Sequence, residues 1–198
     1  MNLAFLASNN GSSFRAIVAA ISAGDLKARA VLAVSNRKTA PALEFARAHA
    51  VPALFIPTVN DPEAADARLA AALRAAGADL VILSGYLRRL GPVTLDAYRG
   101  RVLNIHPALL PRHGGQGMYG RRVHEAVLAA GERVTGASVH VVDGEYDHGP
   151  VVARVEVPVL AGDVAADVEA RVMAAEPGLF IATLQRLVAG ELRLPEGG

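Results

Sequence analysis

The sequence predicts an α/β protein, with a mostly parallel, doubly wound sheet that ends in a C-terminal antiparallel hairpin. Three observations predict it. From residue 2 to residue 106, short apolar strand segments alternate with helical ones, the pattern that builds βαβ units. Two later segments, 134–142 and 151–159, alternate apolar and polar residues around one turn-rich connection, which marks a hairpin. The chain has 198 residues, 52% of them hydrophobic, which suits one domain over 1–198 with a sizeable core.

Residues 2–7 (NLAFLA) read as a buried strand, followed by the small polar turn SNNGSS and a helix from Phe14 to about Ala23. Strand, small-residue turn and helix open a mononucleotide-binding unit. Backbone N–H groups at a helix start attract an anion, Gly11 permits close approach, and Ser12 and Ser13 offer hydroxyls. The turn carries neither G-x-G-x-x-G nor a Walker lysine, so it suits a monophosphate or is an ordinary helix cap. Residues 30–35 form the next strand and 41–48 a helix. Between them Asn36-Arg37-Lys38 lacks the acidic residue that a dinucleotide site uses on ribose, and reads as a solvated basic turn. A strand at 53–56 precedes a helix opened by Asp61 or Pro62, with Leu69 and Leu73 on its apolar face. The strand 79–84 leads into Gly85-Tyr86-Leu87-Arg88-Arg89-Leu90, a turn with two cations at the sheet edge, and 92–98 is a short helix.

The segment 101–111, RVLNIHPALLP, places Asn104 and His106 on one face of a strand and Ile105 on the other, because strand side chains alternate. Pro107 ends the strand by removing a backbone donor. A polar pair at a strand's carboxyl end is either a hydrogen-bonded cap or displayed chemistry. Residues 112–120 hold four glycines and read as a mobile loop, and a helix follows to about Ala130. The hairpin connection carries Asp143, Gly144, Glu145, Tyr146, Asp147 and His148. From 164 to 188 the periodicity is helical, and Val168, Val172, Glu176 and Phe180 share a stripe that Glu176 interrupts. Pro177 should kink or restart that helix, and 192–194 could add an edge strand.

Composition narrows the chemistry. A net charge of +1 without a basic run suggests neither nucleic acid nor an anionic membrane as partner. The absence of cysteine excludes disulfides and thiolate catalysis. No apolar run reaches membrane-spanning length and the short apolar start lacks a basic flank, so a cytoplasmic location is expected. Six histidines show no tight metal-ligand spacing, and G-x-S-x-G is missing, so no metal and no serine hydrolase is expected. Asn104, His106 and Asp147 remain. An amide donor, an imidazole and a carboxylate suffice for acyl transfer to an amine: the first two stabilise an oxyanion, and the carboxylate would favour protonated imidazole.

The stretches LNIHPALLP (103–111), NNGSS (9–13), GYLRRL (85–90) and VTGASVHVVDGEYDHGPVV (134–152) resemble the phosphoribosylglycinamide formyltransferases, folate-dependent enzymes of purine synthesis, and the resemblance extends over nearly the whole chain. Asn-x-His with the distant aspartate is shared with methionyl-tRNA formyltransferases, formyltetrahydrofolate deformylases and sugar-nucleotide formyltransferases. With the first strand at residue 2 and little sequence after the helix through Val188, neither the deformylase's N-terminal domain nor the tRNA enzyme's C-terminal one is expected. The resemblance implies a Rossmann-like formyltransferase fold, with 1–100 as the phosphate-binding half and 101–198 as the catalytic and folate-binding half. It implies transfer of the formyl group of 10-formyltetrahydrofolate, a co-substrate, to the amine of glycinamide ribonucleotide, without metal. Another acceptor, an amino-sugar nucleotide or water, is the alternative. The roles implied are catalysis by Asn104, His106 and Asp147, with Asp147 raising the basicity of His106, and ribonucleotide binding by Gly11, Ser12, Ser13 and Glu176. Folate binding would fall to Leu87, Arg88, Arg89, Leu90, Asn104, Asp143, Gly144, Glu145 and Tyr146. The chain departs from the family pattern at Asn9 (commonly glycine), Ser13 (commonly asparagine), Pro62 (arginine in some relatives) and Pro177 (commonly histidine). Monomer and homodimer are both open.

Overall fold

The structure, a computed structural model, describes residues 1–195. Seven strands form one sheet in the order β3-β2-β1-β4-β5-β6-β7. These are β1 (Asn2–Leu6), β2 (Arg29–Ser35), β3 (Ala53–Phe55), β4 (Leu80–Leu83), β5 (Val102–His106), β6 (Val134–Val141) and β7 (Val151–Pro158). The first five pair in parallel, and β6 and β7 run antiparallel, so the fold class read from the sequence is the one observed. Strand order reverses between β1 and β4. In open α/β sheets ligands bind outside the carboxyl ends of the strands at such a switch point. Here the turns leaving β1 and β4 are stitched together: Ser8 N donates to Gly85 O at 3.1 Å and Leu87 N to Ser8 Oγ at 2.8 Å.

Six helices cover the sheet: α1 (Ser12–Ala23), α2 (Pro41–Ala48), α3 (Pro62–Ala75), α4 (Pro92–Ala97), α5 (Arg121–Ala129) and α6 (Ala165–Val188). The strands read as continuous apolar runs because both faces are covered. Leu3, Phe5, Ile82 and Leu103 meet Phe14 and Ile17 of α1 and Phe180 and Leu184 of α6 on one face. Leu6, Leu32, Val81, Leu83 and Val102 meet Leu69 and Leu73 of α3 on the other. Burying each such side chain contributes about 1.5–3 kcal/mol. Among the described residues no helix is long and apolar enough to cross a membrane.

Three expectations are corrected. The first helix starts at Ser12, two residues before Phe14, so both serines lie in its first turn after a left-handed Gly11 (φ 67°). The last helix runs on through Pro177 instead of restarting. Val168, Val172, Phe180 and Leu184 are fully buried on its inner side, and that packing outweighs one lost hydrogen bond. Residues 192–194 form no strand; Glu191 N and Leu192 N instead return to Arg186 O, closing the helix end.

One buried carboxylate belongs to the scaffold. The α4 start has no side-chain cap of its own, and Asp66 of α3 supplies one, accepting from Val93 N at 2.8 Å and Thr94 N at 3.1 Å. A Cβ on Gly91 would lie 2.2 Å from Asp66 Oδ2, so glycine there permits the contact. Asp66→Ala should cost about 2 kcal/mol, read in thermal denaturation as a Tm lower by roughly 4–8 °C.

Candidate active site

β5 lies next to β4, one strand from the switch point. Its partner in β6 brings His140 opposite Asn104 and Ser138 opposite His106. Ser138 Oγ donates to Ala108 O at 2.7 Å and accepts from Leu110 N at 3.0 Å, and Arg154 Nη2 donates to Leu110 O at 2.6 Å. The turn after Pro107 is thus held from two strands, which fixes where His106 stops.

The polar groups at this strand end have defined partners. His140 Nδ1 lies 3.0 Å from Val141 O; a carbonyl only accepts, so this nitrogen carries the proton. With the proton on Nδ1, Nε2 of His140 accepts from Asn104 Nδ2 at 3.1 Å. That contact turns the NH₂ end of the Asn104 amide toward the site and leaves its second N–H to donate. By the same logic His106 Nε2 donates to His113 O at 2.8 Å. His106 Nδ1 faces Asp147 Oδ2 at 3.3 Å, and Asp147 Oδ1 lies 3.5 Å from His140 Nε2. Asp147 has a left-handed backbone (φ 54°) and is anchored by Gly115 N at 3.1 Å. Asp147, about forty residues on in the sequence, thus meets the strand end that carries Asn104 and His106.

Burial and charge act in opposite directions on His106. Burial pushes the His106 imidazole below its ordinary range, outweighing the Asp147 carboxylate and the His113 carbonyl that act the other way. Burial therefore favours neutral imidazole overall, while Asp147 works to raise the basicity of His106, the direction the resemblance implies. Burial would raise Asp147, but its surroundings, the Gly115 amide among them, hold it below the usual carboxylate range. The site thus presents one N–H donor on Asn104 beside two proton acceptors, His106 Nδ1 and ionised Asp147.

A cleft opens over this floor. Tyr86, Arg88, Arg89 and Leu90 form one wall, Asn104, His140 and Val142 the base, and residues 143–147 the other wall. The Arg89 guanidinium reaches across to the Gly144 carbonyl and joins the walls. The cleft thus draws on both halves of the chain. Leu87 lies outside it, with a half-exposed side chain. His148 is exposed and pairs with Asp143 at 3.0 Å, each shifting the other toward its charged form.

Ser12 is exposed at the start of α1 and Ser13 is buried. Phe14 N is taken by Ser84 Oγ at 3.0 Å, which leaves the amides of Gly11, Ser12 and Ser13 for an anion. The 36–38 turn is more than solvated: Arg37 Nη1 donates to Asn9 Oδ1 at 2.6 Å and Ser8 Oγ to Asn36 Oδ1 at 2.7 Å. Glu176 lies on α6, which packs against α1 and α5, and burial pushes its carboxyl up to about 7. Among the described residues no group of three or more His, Asp or Glu side chains is arranged to hold a metal ion.

His140, Ser138, Ser8 and Ser84 were missing from the sequence reading. His140 had a signal, a histidine inside the apolar run VHVV of a strand pairing with 103–106. The serines had none, because small hydroxyl residues are common at strand ends.

A model of the formyl transferase family matches residues 1–184. The chain belongs to the formyl transferase family. Within this family it is 35% identical over 198 residues to the phosphoribosylglycinamide formyltransferase of Escherichia coli K12, covering 99% of this chain and 91% of that protein. It is 36% identical to the chloroplastic phosphoribosylglycinamide formyltransferase of Arabidopsis thaliana, covering 99% of this chain and 68% of the plant protein. Among solved formyl transferases, glycinamide ribonucleotide transformylase 1 from Symbiobacterium toebii superposes with a TM-score of 0.89 at 33% identity, covering all of this chain and 92% of that one.

Proposed function

We propose that this protein transfers the formyl group of 10-formyltetrahydrofolate to the amine of glycinamide ribonucleotide, a step of purine biosynthesis. The observation that carries this reading is the pairing of His106 with Asp147 at the end of β5, beside a cleft lined by Asn104 and Asp147 near the sheet's switch point. The family and the names of the relatives supply the substrates. The ribonucleotide's phosphate sits on the amides of Gly11, Ser12 and Ser13, with Glu176 accepting from the ribose hydroxyls. The pterin enters between residues 88–90 and 143–146, where Arg89 and Gly144 already meet.

The substrate amine attacks the formyl carbon. A C–N bond forms, and the carbonyl electron pair moves onto oxygen. Asn104 Nδ2–H, oriented by His140, donates to that oxyanion. The attacking nitrogen loses its proton to the acceptor pair of His106 Nδ1 and Asp147. Protonated His106 then supports the oxyanion and returns the proton to N10 of the folate as the C–N10 bond breaks. Transfer between small molecules fits a cytoplasmic enzyme, monomeric or homodimeric, with folate as co-substrate and no call on nucleic acid.

The test is the absorbance change on tetrahydrofolate release with glycinamide ribonucleotide, an amino-sugar nucleotide or no acceptor. Release is expected with glycinamide ribonucleotide alone. Faster release with the sugar nucleotide, or equal release in water, would replace this reading with another acceptor.

A further inference from the structure

The segment His113-Gly114-Gly115 touches both catalytic groups through its backbone. His113 O accepts from His106 Nε2 at 2.8 Å, and Gly115 N donates to Asp147 Oδ2 at 3.1 Å. Its geometry is specialised. His113 has a left-handed backbone (φ 55°), a region that β-branched residues rarely enter, and Gly115 has φ 99°. Gly114 lies so close to the site that a Cβ there would stand 2.5 Å from Leu110 Cδ2 and 3.2 Å from Asp147 Cβ. The segment is fastened from outside. Glu132, beyond α5, accepts from Arg112 Nη1 at 2.9 Å with both oxygens and faces His113 Nε2 at 3.5 Å.

We propose that His113 and Glu132 are positioning residues: the clamped, left-handed His113 aims its carbonyl at His106 Nε2, fixes the proton there, and thereby presents Nδ1 to the reaction. Without that acceptor, His106 is free to hold its proton on Nδ1, where ionised Asp147 would attract it. The lone pair that takes the amine proton would then point at the loop. Asp147 sits on the reacting side of the imidazole, and a backbone carbonyl does the orienting that a carboxylate does in serine hydrolases. This goes deeper into the formyl-transfer site and rests on that reading for its kinetic arm only.

The groups acting on His106 are Asp147, His113 and His140, and the His106 charge is itself felt by His124 of α5. Nitrogen-15 spectra of the histidine-labelled wild-type protein at pH 8, with His106 assigned through His106→Gln, read the tautomer without any assay of activity. The Nε2–H form is expected, and a dominant Nδ1–H form would overturn the proposal even if formyl transfer is confirmed. His113→Val, disfavoured at positive φ, should lower kcat about tenfold, leave both KM values nearly unchanged and populate the Nδ1–H form. His113→Gly, which adopts the same backbone freely, should retain the wild-type tautomer. Glu132→Gln should shift the tautomer in the same direction as His113→Val, to a smaller extent. Equal kcat losses in His113→Val and His113→Gly with an unchanged tautomer would mean that the imidazole side chain, not the carbonyl, matters.

Discussion

Asn104→Ala is expected to lower kcat by roughly 10²–10³, the usual cost of losing one oxyanion donor, with little change in either KM. The donor is preorganised. His140 holds one N–H of the amide at 3.1 Å, and its own Nδ1 is tied to Val141 O, so the second N–H points into the site before any substrate arrives. In water a free amide would have to reorient as charge develops, whereas here it does not. The strand should survive the change, because residue 104 is paired by its backbone to Leu83 on one side and His140 on the other. His106→Ala should cost a similar factor by removing the proton acceptor. The double variant should be little worse than either single one, because both groups act on one tetrahedral adduct. Single-turnover measurement of tetrahydrofolate release, with far-UV spectra as a folding control, checks all three. Near-wild-type turnover in either single variant would remove these residues from the chemistry.

How much of this was legible in the sequence follows from the range of the forces involved. Local patterns gave all seven strands and the antiparallel end, because apolar runs and period-two alternation record which faces are buried. They also gave the shared side of Asn104 and His106. They did not give His113 as a partner of His106, because a backbone carbonyl carries no residue signature; only the glycines after it hint at an unusual backbone. They misjudged Pro177, because the local cost of proline was weighed without the buried stripe on either side of it. They gave the carboxylate partner that raises His106, but not the burial that outweighs it, because burial exists only in the folded chain. The choice of formyl transfer came from resemblance, since an amide, an imidazole and a carboxylate serve many acyl acceptors.

Glu176→Gln should weaken ribonucleotide binding and yet stabilise the free protein at alkaline pH. Burial alone pushes this carboxyl from 4.5 up to about 7. The folded chain therefore keeps a proton at pH values where the unfolded chain has released it. The resulting stability is complete below about pH 4.5 and is lost as pH rises through about 7. Discounted for partial solvent access, the loss is on the order of 2 kcal/mol. Glutamine does not ionise, so the variant should match the wild type near pH 5 and exceed it at pH 8 by roughly 4–8 °C in Tm. Affinity should move the other way. A ribose diol donates best to a carboxylate, so bound ribonucleotide draws the group into its ionised form, and the neutral amide should raise the ribonucleotide's KM about tenfold while leaving the folate's nearly unchanged. Thermal denaturation at the two pH values and KM for each substrate measure both halves. If Glu176 served only as a structural acid, Tm would shift and the ribonucleotide's KM would not.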